Sequence, residues 1–124
     1  MSKQNIAIIG LGRIGSAFFD ALQQKQKNIN LVCVSERVDT PAKARAVAAG
    51  IKAVSLDDVV AMGDAIDIIF DLTGLPAVRS ELRTKLRDSN NTHSVIASET
   101  VTRLIWALIG EEALPFIEGR KTGY

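Results

Sequence analysis

Three glycines, in the sequence GLGRIG at positions 10, 12 and 15, have the spacing with which a backbone can cradle a diphosphate. They follow a short apolar run, Ile6 to Ile9, and precede apolar residues at helical spacing, so the loop is expected to join a buried strand to a helix. Gly10 would allow the tight turn and Gly12 the approach of a diphosphate to the backbone. Gly15 would let the helix pack closely on the strand.

The residues between these glycines belong to the same predicted site. Arg13 and Ile14 stand at the start of the helix, where free amides and a partial positive charge favour an anion. Arg13 either faces the diphosphate or is solvated, and the residues alone leave this open. A glycine turn that binds no ligand is the simplest alternative for the loop, and a coenzyme A or other nucleotide site is another.

An acidic residue closes the second predicted strand. Glu36 lies 36 − 15 = 21 positions beyond the third glycine, close to the spacing of about 20 at which a carboxylate contacts the ribose of a dinucleotide. Such a carboxylate accepts hydrogen bonds from the 2′-hydroxyl and repels a 2′-phosphate, which favours NAD over NADP. Arg37 could stack on adenine or accept a 2′-phosphate, so NADP stays possible. Alternatively, both are surface charges.

A third group of polar residues closes the fourth predicted strand. Thr73 and Gly74 follow Asp71 and could face the nicotinamide ribose, or they could form a simple helix-entry turn. Asp67 and Asp71 are four residues apart on a strand and share a face. We expect Asp67 near the start of this strand and Asp71 near its end.

The elements that must position these residues alternate between strands and helices. Buried strands separated by helices predict an α/β fold, a doubly wound, Rossmann-like parallel sheet of about five strands in a single domain, with strand order 3-2-1-4-5. We expect the dinucleotide-binding domain over residues 1–112 and a C-terminal segment or linker over 113–124. The predicted strands are Ile6 to Ile9, Asn30 to Ser35, Lys52 to Val54, Ile66 to Leu72 and His93 to Ala97.

The helices carry signals of their own. Thr40 and Pro41 resemble a cap and first turn, and Ser55, three residues before Asp58, resembles a capping box. The helix after Pro76 is expected to turn its apolar residues inward. Its charged residues are expected in solvent: Arg79, Glu81, Arg83, Lys85 and Arg87.

The last predicted helix, Thr100 to Ile109, is apolar on more than one side. One stripe, of Val101, Leu104, Ile105 and Leu108, is expected to cover the domain, while Trp106 and Ile109 point elsewhere. This second face is expected to form a homodimer contact or to dock a partner domain. Alternatively, the segment from Ala113 to Ile117 folds back over it.

Composition excludes several classes of protein. The 124 residues are 47% hydrophobic and 5% aromatic, with a formal net charge of +1, which gives no field for nucleic acid or acidic lipid. No segment approaches the roughly 20 apolar residues of a membrane span. A single cysteine, Cys33, and no Cys/His cluster predict no metal site and a cytoplasmic location.

Taken together, GLGRIG, the Glu36–Arg37 pair and IIFDLTG at 68–74 resemble the NAD(P)-binding domain of dihydrodipicolinate reductases, homoserine dehydrogenases and Gfo/Idh/MocA oxidoreductases. The resemblance covers the chain, in general pattern, up to the last helix. It implies Glu36 and Arg37 on the adenosine ribose, and Thr73 and Gly74 near the nicotinamide. Those enzymes carry their catalytic residues in a second domain, which would begin where this chain ends.

The sequence therefore predicts a module that binds NAD(H) without catalysis of its own and serves as a nucleotide-sensing or regulatory domain. Hydride transfer needs a second reactant and usually a proton donor, and the sequence offers no catalytic residue for either. His93 is expected to be a loop or strand-edge histidine. The alternative is the cofactor-binding part of an NAD(P)-dependent oxidoreductase whose catalytic domain is missing or lies on another chain.

Overall fold

The computed structural model describes residues 3–24 and 28–109. The predicted C-terminal segment, 113–124, lies outside the described residues. The strands are β1 Gln4–Ile9, β2 Ile29–Ser35, β3 Lys52–Ala53, β4 Ile68–Asp71 and β5 Val95–Ile96. The helices are α1 Arg13–Gln23, α2 Pro41–Ala48, α3 Leu56–Ala61, α4 Pro76–Asp88 and α5 Glu99–Ile109, and a short 3-10 turn covers Gly63–Ala65.

All five strands form one parallel sheet in the order β3-β2-β1-β4-β5, which confirms the predicted order. The chain runs outward from β1 through β2 to β3 and then returns to the other side of β1 with β4. In register, Ile9 pairs with Ser35 of β2 and with Asp71 of β4, so the carboxyl ends of three strands lie side by side. The reversal of strand order between β1 and β4 opens a crevice at this edge, where folds of this kind bind ligands.

Helices cover both faces of the sheet because side chains of β1 alternate between two cores. Ile6 and Ile8 belong to the core shared with α1, α2 and α5, whereas Ala7 and Ile9 belong to the core shared with α3 and α4. The prediction of a doubly wound sheet is therefore confirmed. Both cores are mainly aliphatic.

Two predicted helix starts are confirmed by their hydrogen bonds. The Thr40 hydroxyl accepts a hydrogen bond from the backbone N–H of Lys43 at 3.1 Å, and Pro41 is the first residue of α2. The Ser55 hydroxyl accepts one from the N–H of Asp58 at 3.1 Å. These caps fix where α2 and α3 begin, after the ends of β2 and β3.

The prediction for α5 is wrong about which face is buried. Trp106 packs against Phe18 of α1 with ring centroids 5.8 Å apart, and Ile105 and Ile109 also contact the core. Val101, Leu104 and Leu108, which were expected to cover the domain, lie in solvent, and Leu108 is 76% exposed. Spacing alone allowed either stripe to face inward, and the contact with Phe18 decides between them.

Candidate functional site

The glycine loop begins at Gly10, where the chain leaves β1. Its φ of +93° lies in the left-handed region that side chains disfavour. A Cβ at this position would lie 2.9 Å from the backbone nitrogen of Thr73. The N–H of Gly10 donates to the carbonyl of Ser35 at 2.8 Å. Gly10 thus joins the ends of β1, β2 and β4 in the tight turn that the sequence predicted.

Gly15 brings α1 against the loop. A Cβ there would lie 1.9 Å from the carbonyl oxygen of Gly10 and 2.7 Å from its carbonyl carbon. Because both atoms belong to the backbone, no side-chain rotation could relieve this overlap. The absence of a side chain at position 15 therefore sets how closely the helix approaches the strand.

Gly12 differs from the other two glycines because it faces open space. Apart from Gly12 itself and its neighbours along the chain, no described atom lies within 4 Å of the position that a Cβ would take, although Gly10 and Gly15 on either side are tightly packed. Gly12 is the N-cap of α1 and supplies no capping side chain. A cradle that a Cβ would partly fill, beside a helix start, fits a phosphate group.

The first turn of α1 supplies the donors for this cradle. The first hydrogen bond within the helix runs from the N–H of Ser16 to the carbonyl of Gly12 at 2.8 Å. The backbone N–H groups of residues 13–15 therefore lie before the first helical hydrogen bond. Ile14 is buried, and only its backbone can serve a ligand, whereas Arg13 is exposed beside the loop.

Glu36, immediately after β2, is tied to the glycine loop. Its Oε1 accepts a hydrogen bond from the backbone N–H of Leu11 at 2.8 Å, and its Oε2 accepts one from the N–H of Val38 at 3.1 Å. The sequence placed Glu36 at this edge, but the bond to Leu11 could not be read from spacing. The two amides hold the carboxylate beside the loop, where it keeps further lone pairs for ligand hydroxyls.

A cavity of about 680 Å³ extends from this carboxylate across the edge of the sheet. Glu36, Arg37 and Val38 line one side, and Thr73 and Leu75 line the other. Its volume lies within the range of about 300–1,000 Å³ that is typical of small-molecule sites. The structure therefore places Gly10, Glu36, Arg37 and Thr73 around one space, with the open side of Gly12 on the adjoining loop.

Asp71 ends β4 as a buried ion-pair partner. Its side chain is 1% exposed, and its Oδ2 accepts a hydrogen bond from Nε of Arg79 at 2.8 Å. Arg79 was expected in solvent, and that prediction is wrong because its side chain is only 16% exposed. The helical pattern put Arg79 on the polar face of α4 but could not show that the face near Pro76 covers the end of β4.

The other carboxylate of this strand region lies at the opposite edge of the sheet. Asp67 precedes β4, accepts a hydrogen bond from the N–H of Asn5 and lies 2.6 Å from Nε2 of His93. The backbone hydrogen bond from Asn5, followed by the one from His93, lowers the pKa of Asp67. The prediction that Asp67 and Asp71 occupy opposite ends is confirmed. His93 has a carboxylate partner that the sequence did not reveal, remote from the cavity.

Two further findings bear on the chemistry that the site could perform. Burial raises the pKa of Cys33 to about 11, so its thiol stays protonated at neutral pH, as an apolar filler of the core. In the described ranges, no group of three or more His, Cys, Asp and Glu residues could hold a metal ion.

The parallel sheet, the glycine loop and the carboxylate after β2 together define a dinucleotide-binding domain of the Rossmann type. A protein-family model identifies the family to which this domain belongs. The chain belongs to the family described as "Homoserine dehydrogenase, NAD binding domain", whose model matches residues 10–103. It is thus an NAD(P)-binding domain of the kind found in oxidoreductases, as the sequence resemblance implied.

Solved structures show the same fold at low sequence identity. Homoserine dehydrogenase from S. aureus superimposes with a TM-score of 0.59 at 18% identity, over 90% of this chain and 31% of that one. Apo scyllo-inositol dehydrogenase from Lactobacillus casei gives a TM-score of 0.58 at 20% identity, over 87% of this chain and 34% of that one. This chain therefore spans about a third of the length of each. No curated protein matches the sequence.

Among residues 3–24 and 28–109, no helix is both long and apolar enough to cross a membrane.

Proposed function

We propose that this domain binds NAD(H) as a nucleotide-sensing or regulatory module and does not itself transfer hydride. The observation that carries the proposal is the contact between Glu36 and Leu11, which holds a ribose-recognising carboxylate beside the open cradle at Gly12. In the described part of the chain, two groups that could transfer a proton are not available at this edge. Asp71 is buried beneath Arg79, and His93 lies at the opposite edge.

The proposed contacts follow the geometry of the edge. The diphosphate lies over Gly12 and the first amides of α1, beginning with those of Arg13 and Ile14. The ribose of the adenosine lies on Glu36, and Arg37 lines the cavity beside it. Thr73 lines the nicotinamide half, and Gly74 follows it in the turn after β4. The bound dinucleotide would supply the redox chemistry of its nicotinamide, and the protein would supply position and charge.

NAD is the preferred cofactor in this proposal. Glu36 is held by two backbone amides, so it cannot rotate away from a 2′-phosphate without breaking both hydrogen bonds. A carboxylate that stays in place repels the phosphate and accepts the 2′-hydroxyl. Arg37 is exposed at the mouth of the same cavity and can offset part of this repulsion, so we propose weaker binding of NADP(H) rather than none.

Calorimetric titration with NADH, NAD, NADPH and coenzyme A, at one salt concentration and pH, tests the proposal. We expect micromolar affinity for NADH and weaker affinity for NADPH. Equal affinities would contradict the role of Glu36, and binding of coenzyme A alone would assign the loop to a different nucleotide. Absence of binding to all four would overturn the proposal.

A second candidate is the cofactor-binding part of an oxidoreductase whose catalytic domain lies elsewhere. This candidate is favoured by the part of each dehydrogenase that the chain covers, which is 31% of homoserine dehydrogenase and 34% of scyllo-inositol dehydrogenase. Addition of a separately expressed partner that restores NADH oxidation would support this candidate. A change in partner affinity on NADH binding, without turnover, would support sensing.

We further propose a homodimer, formed by the exposed stripe of α5 rather than by Trp106 and Ile109. Val101, Leu104 and Leu108 are 46%, 59% and 76% exposed on one face of the helix. Leu104→Asp should convert a dimer to a monomer in sedimentation velocity, whereas Thr84→Asp on the exposed face of α4 should not. A monomeric parent chain would overturn the proposal.

For the location we propose the cytoplasm. The single cysteine, Cys33, is a buried free thiol and therefore needs no oxidising compartment. Fractionation of cells that express the tagged protein tests this, and recovery outside the cytoplasmic fraction would contradict it.

A further inference from the structure

The ion pair between Arg79 and Asp71 connects the first turns of α4 to the wall of the cavity. Nε of Arg79 donates to Oδ2 of Asp71 at 2.8 Å, and Nη2 donates to the backbone carbonyl of Asp71 at 3.2 Å. The guanidinium thus holds both the side chain and the main chain of the last residue of β4. Because the guanidinium contacts Asp71 at two points, it fixes the orientation of this residue and also pairs with the charge of its carboxylate.

From Asp71 the hydrogen bonds continue into the loop that follows β4. Oδ1 of Asp71 accepts hydrogen bonds from the Thr73 hydroxyl at 2.7 Å and from the Thr73 N–H at 3.1 Å. The Thr73 hydroxyl in turn accepts one from the N–H of Leu75 at 3.1 Å. Thr73 and Leu75 line the cavity opposite Glu36, so this chain of bonds ends at the ligand-facing wall.

The same loop also meets the glycine loop. A Cβ at Gly10 would lie 3.0 Å from Cγ2 of Thr73 and 2.9 Å from its backbone nitrogen. Thr73 therefore occupies the space that a side chain at position 10 would need, and the two loops lie against each other. Because Gly10 and Thr73 line the same cavity, the position of Thr73 affects the cavity wall on the side of the glycine loop.

We infer that Arg79 is a positioning residue for dinucleotide binding, which acts through Asp71 on Thr73 without touching the ligand. This inference rests on the proposed function. Loss of the guanidinium would leave a buried carboxylate without its cation. Asp71 would then take up water or turn toward other donors, and both Thr73 bonds depend on its present orientation.

Substitutions at Arg79, with a matched control on the same helix, test the inference. Arg79→Met removes the charge, Arg79→Lys keeps the charge without the fork, and Arg83→Met changes an exposed arginine one turn further along α4. We expect Arg79→Met to raise the Kd for NADH at least tenfold and Arg79→Lys to raise it by less. Arg83→Met should keep the parent value. The titrations are run at a temperature where circular dichroism shows each variant fully folded.

A purely structural role would lower the melting temperature but leave the Kd of the folded protein unchanged. Arg79→Met that is folded and binds NADH with the parent Kd would therefore overturn the inference. If Arg79→Met fails to fold, the same measurement is made on Arg79→Lys, and a folded Arg79→Lys that binds NADH with the parent Kd would overturn the inference.

A second readout uses coupling with the loop. In a Thr73→Val background, Arg79→Met should raise the Kd by a smaller factor than in the parent, because one of the two bonds that it acts through, the bond from the Thr73 hydroxyl to Asp71, is already lost. Equal factors in the two backgrounds would contradict the proposed route through Thr73. Failure of the parent chain to bind NADH would overturn the proposed function and this inference together, and the parent titration alone reveals it.

Discussion

Two of the loop glycines should respond in opposite ways to a side chain, and this pair offers the sharpest test of the site. Gly12→Val places a Cβ where, apart from neighbours along the chain, no described atom lies within 4 Å. Gly15→Ala instead places a Cβ 1.9 Å from the Gly10 carbonyl oxygen. The first change should remove binding and spare the fold, and the second should damage the fold itself.

The magnitudes follow from these distances. A carbon and a carbonyl oxygen in contact lie roughly 3.3 Å apart, so α1 must move by more than about 1 Å to accept an alanine at position 15. Overpacking of this kind costs about 1–3 kcal/mol, which lowers Tm by about 4–12 °C in a domain of this size. Gly12→Val meets no such neighbour. Valine is a poorer N-cap than glycine, and the ψ of −146° at Gly12 lies outside the regions that L residues favour, so the free energy of unfolding should fall by about 1 kcal/mol at most.

For NADH binding, the larger direct effect should come from Gly12→Val. The valine at position 12 competes with the diphosphate for one space, and we expect the Kd for NADH to rise by about 100-fold, equivalent to about 2.7 kcal/mol. Gly12→Ala should have a smaller effect of the same sign. The assay combines calorimetric titration with thermal unfolding of the same samples. Gly12→Val that binds NADH like the parent would refute the role of the loop, and Gly15→Ala without loss of stability would refute the packing argument.

Three further predictions concern single side chains elsewhere. Glu36→Ala should weaken NADH binding and reduce the preference for NADH over NADPH, since the repulsion of a 2′-phosphate is lost. An unchanged ratio of the NADH and NADPH affinities would contradict this. The lowered pKa of Asp67 means that its contribution to stability is present above pH 3.8 and declines as the pH falls below it. Acid titration monitored by circular dichroism should therefore show a shallower loss of stability in Asp67→Asn than in the parent. Cys33 should resist iodoacetamide at pH 8 and react only on unfolding, because burial raises its pKa to about 11; rapid alkylation of the native protein would show otherwise.

Much of the fold could be predicted because it depends on local patterns. Apolar runs such as Ile6 to Ile9 are typical of buried strands, and the caps at Thr40 and Ser55 are bonds between residues three apart in the chain. The strand order also followed, because a parallel sheet covered on both faces permits few arrangements. The glycine spacing and the position of Glu36 predicted that both lie at the edge where the strands end, and the structure has them there, since strand ends in a parallel sheet share one side.

The sequence by itself thus determined the architecture, the phosphate-binding type of loop and the edge that carries the site. Only the tertiary structure decided which partners the side chains take. Arg79 has the helical position of a solvated residue yet covers the buried Asp71, and Trp106 packs on Phe18 although spacing alone allowed either stripe of α5 to face inward. Glu36 meets Leu11, 25 positions earlier in the chain. Periodicity reports which side of an element is apolar, whereas such contacts depend on how elements that are distant in sequence are placed against each other.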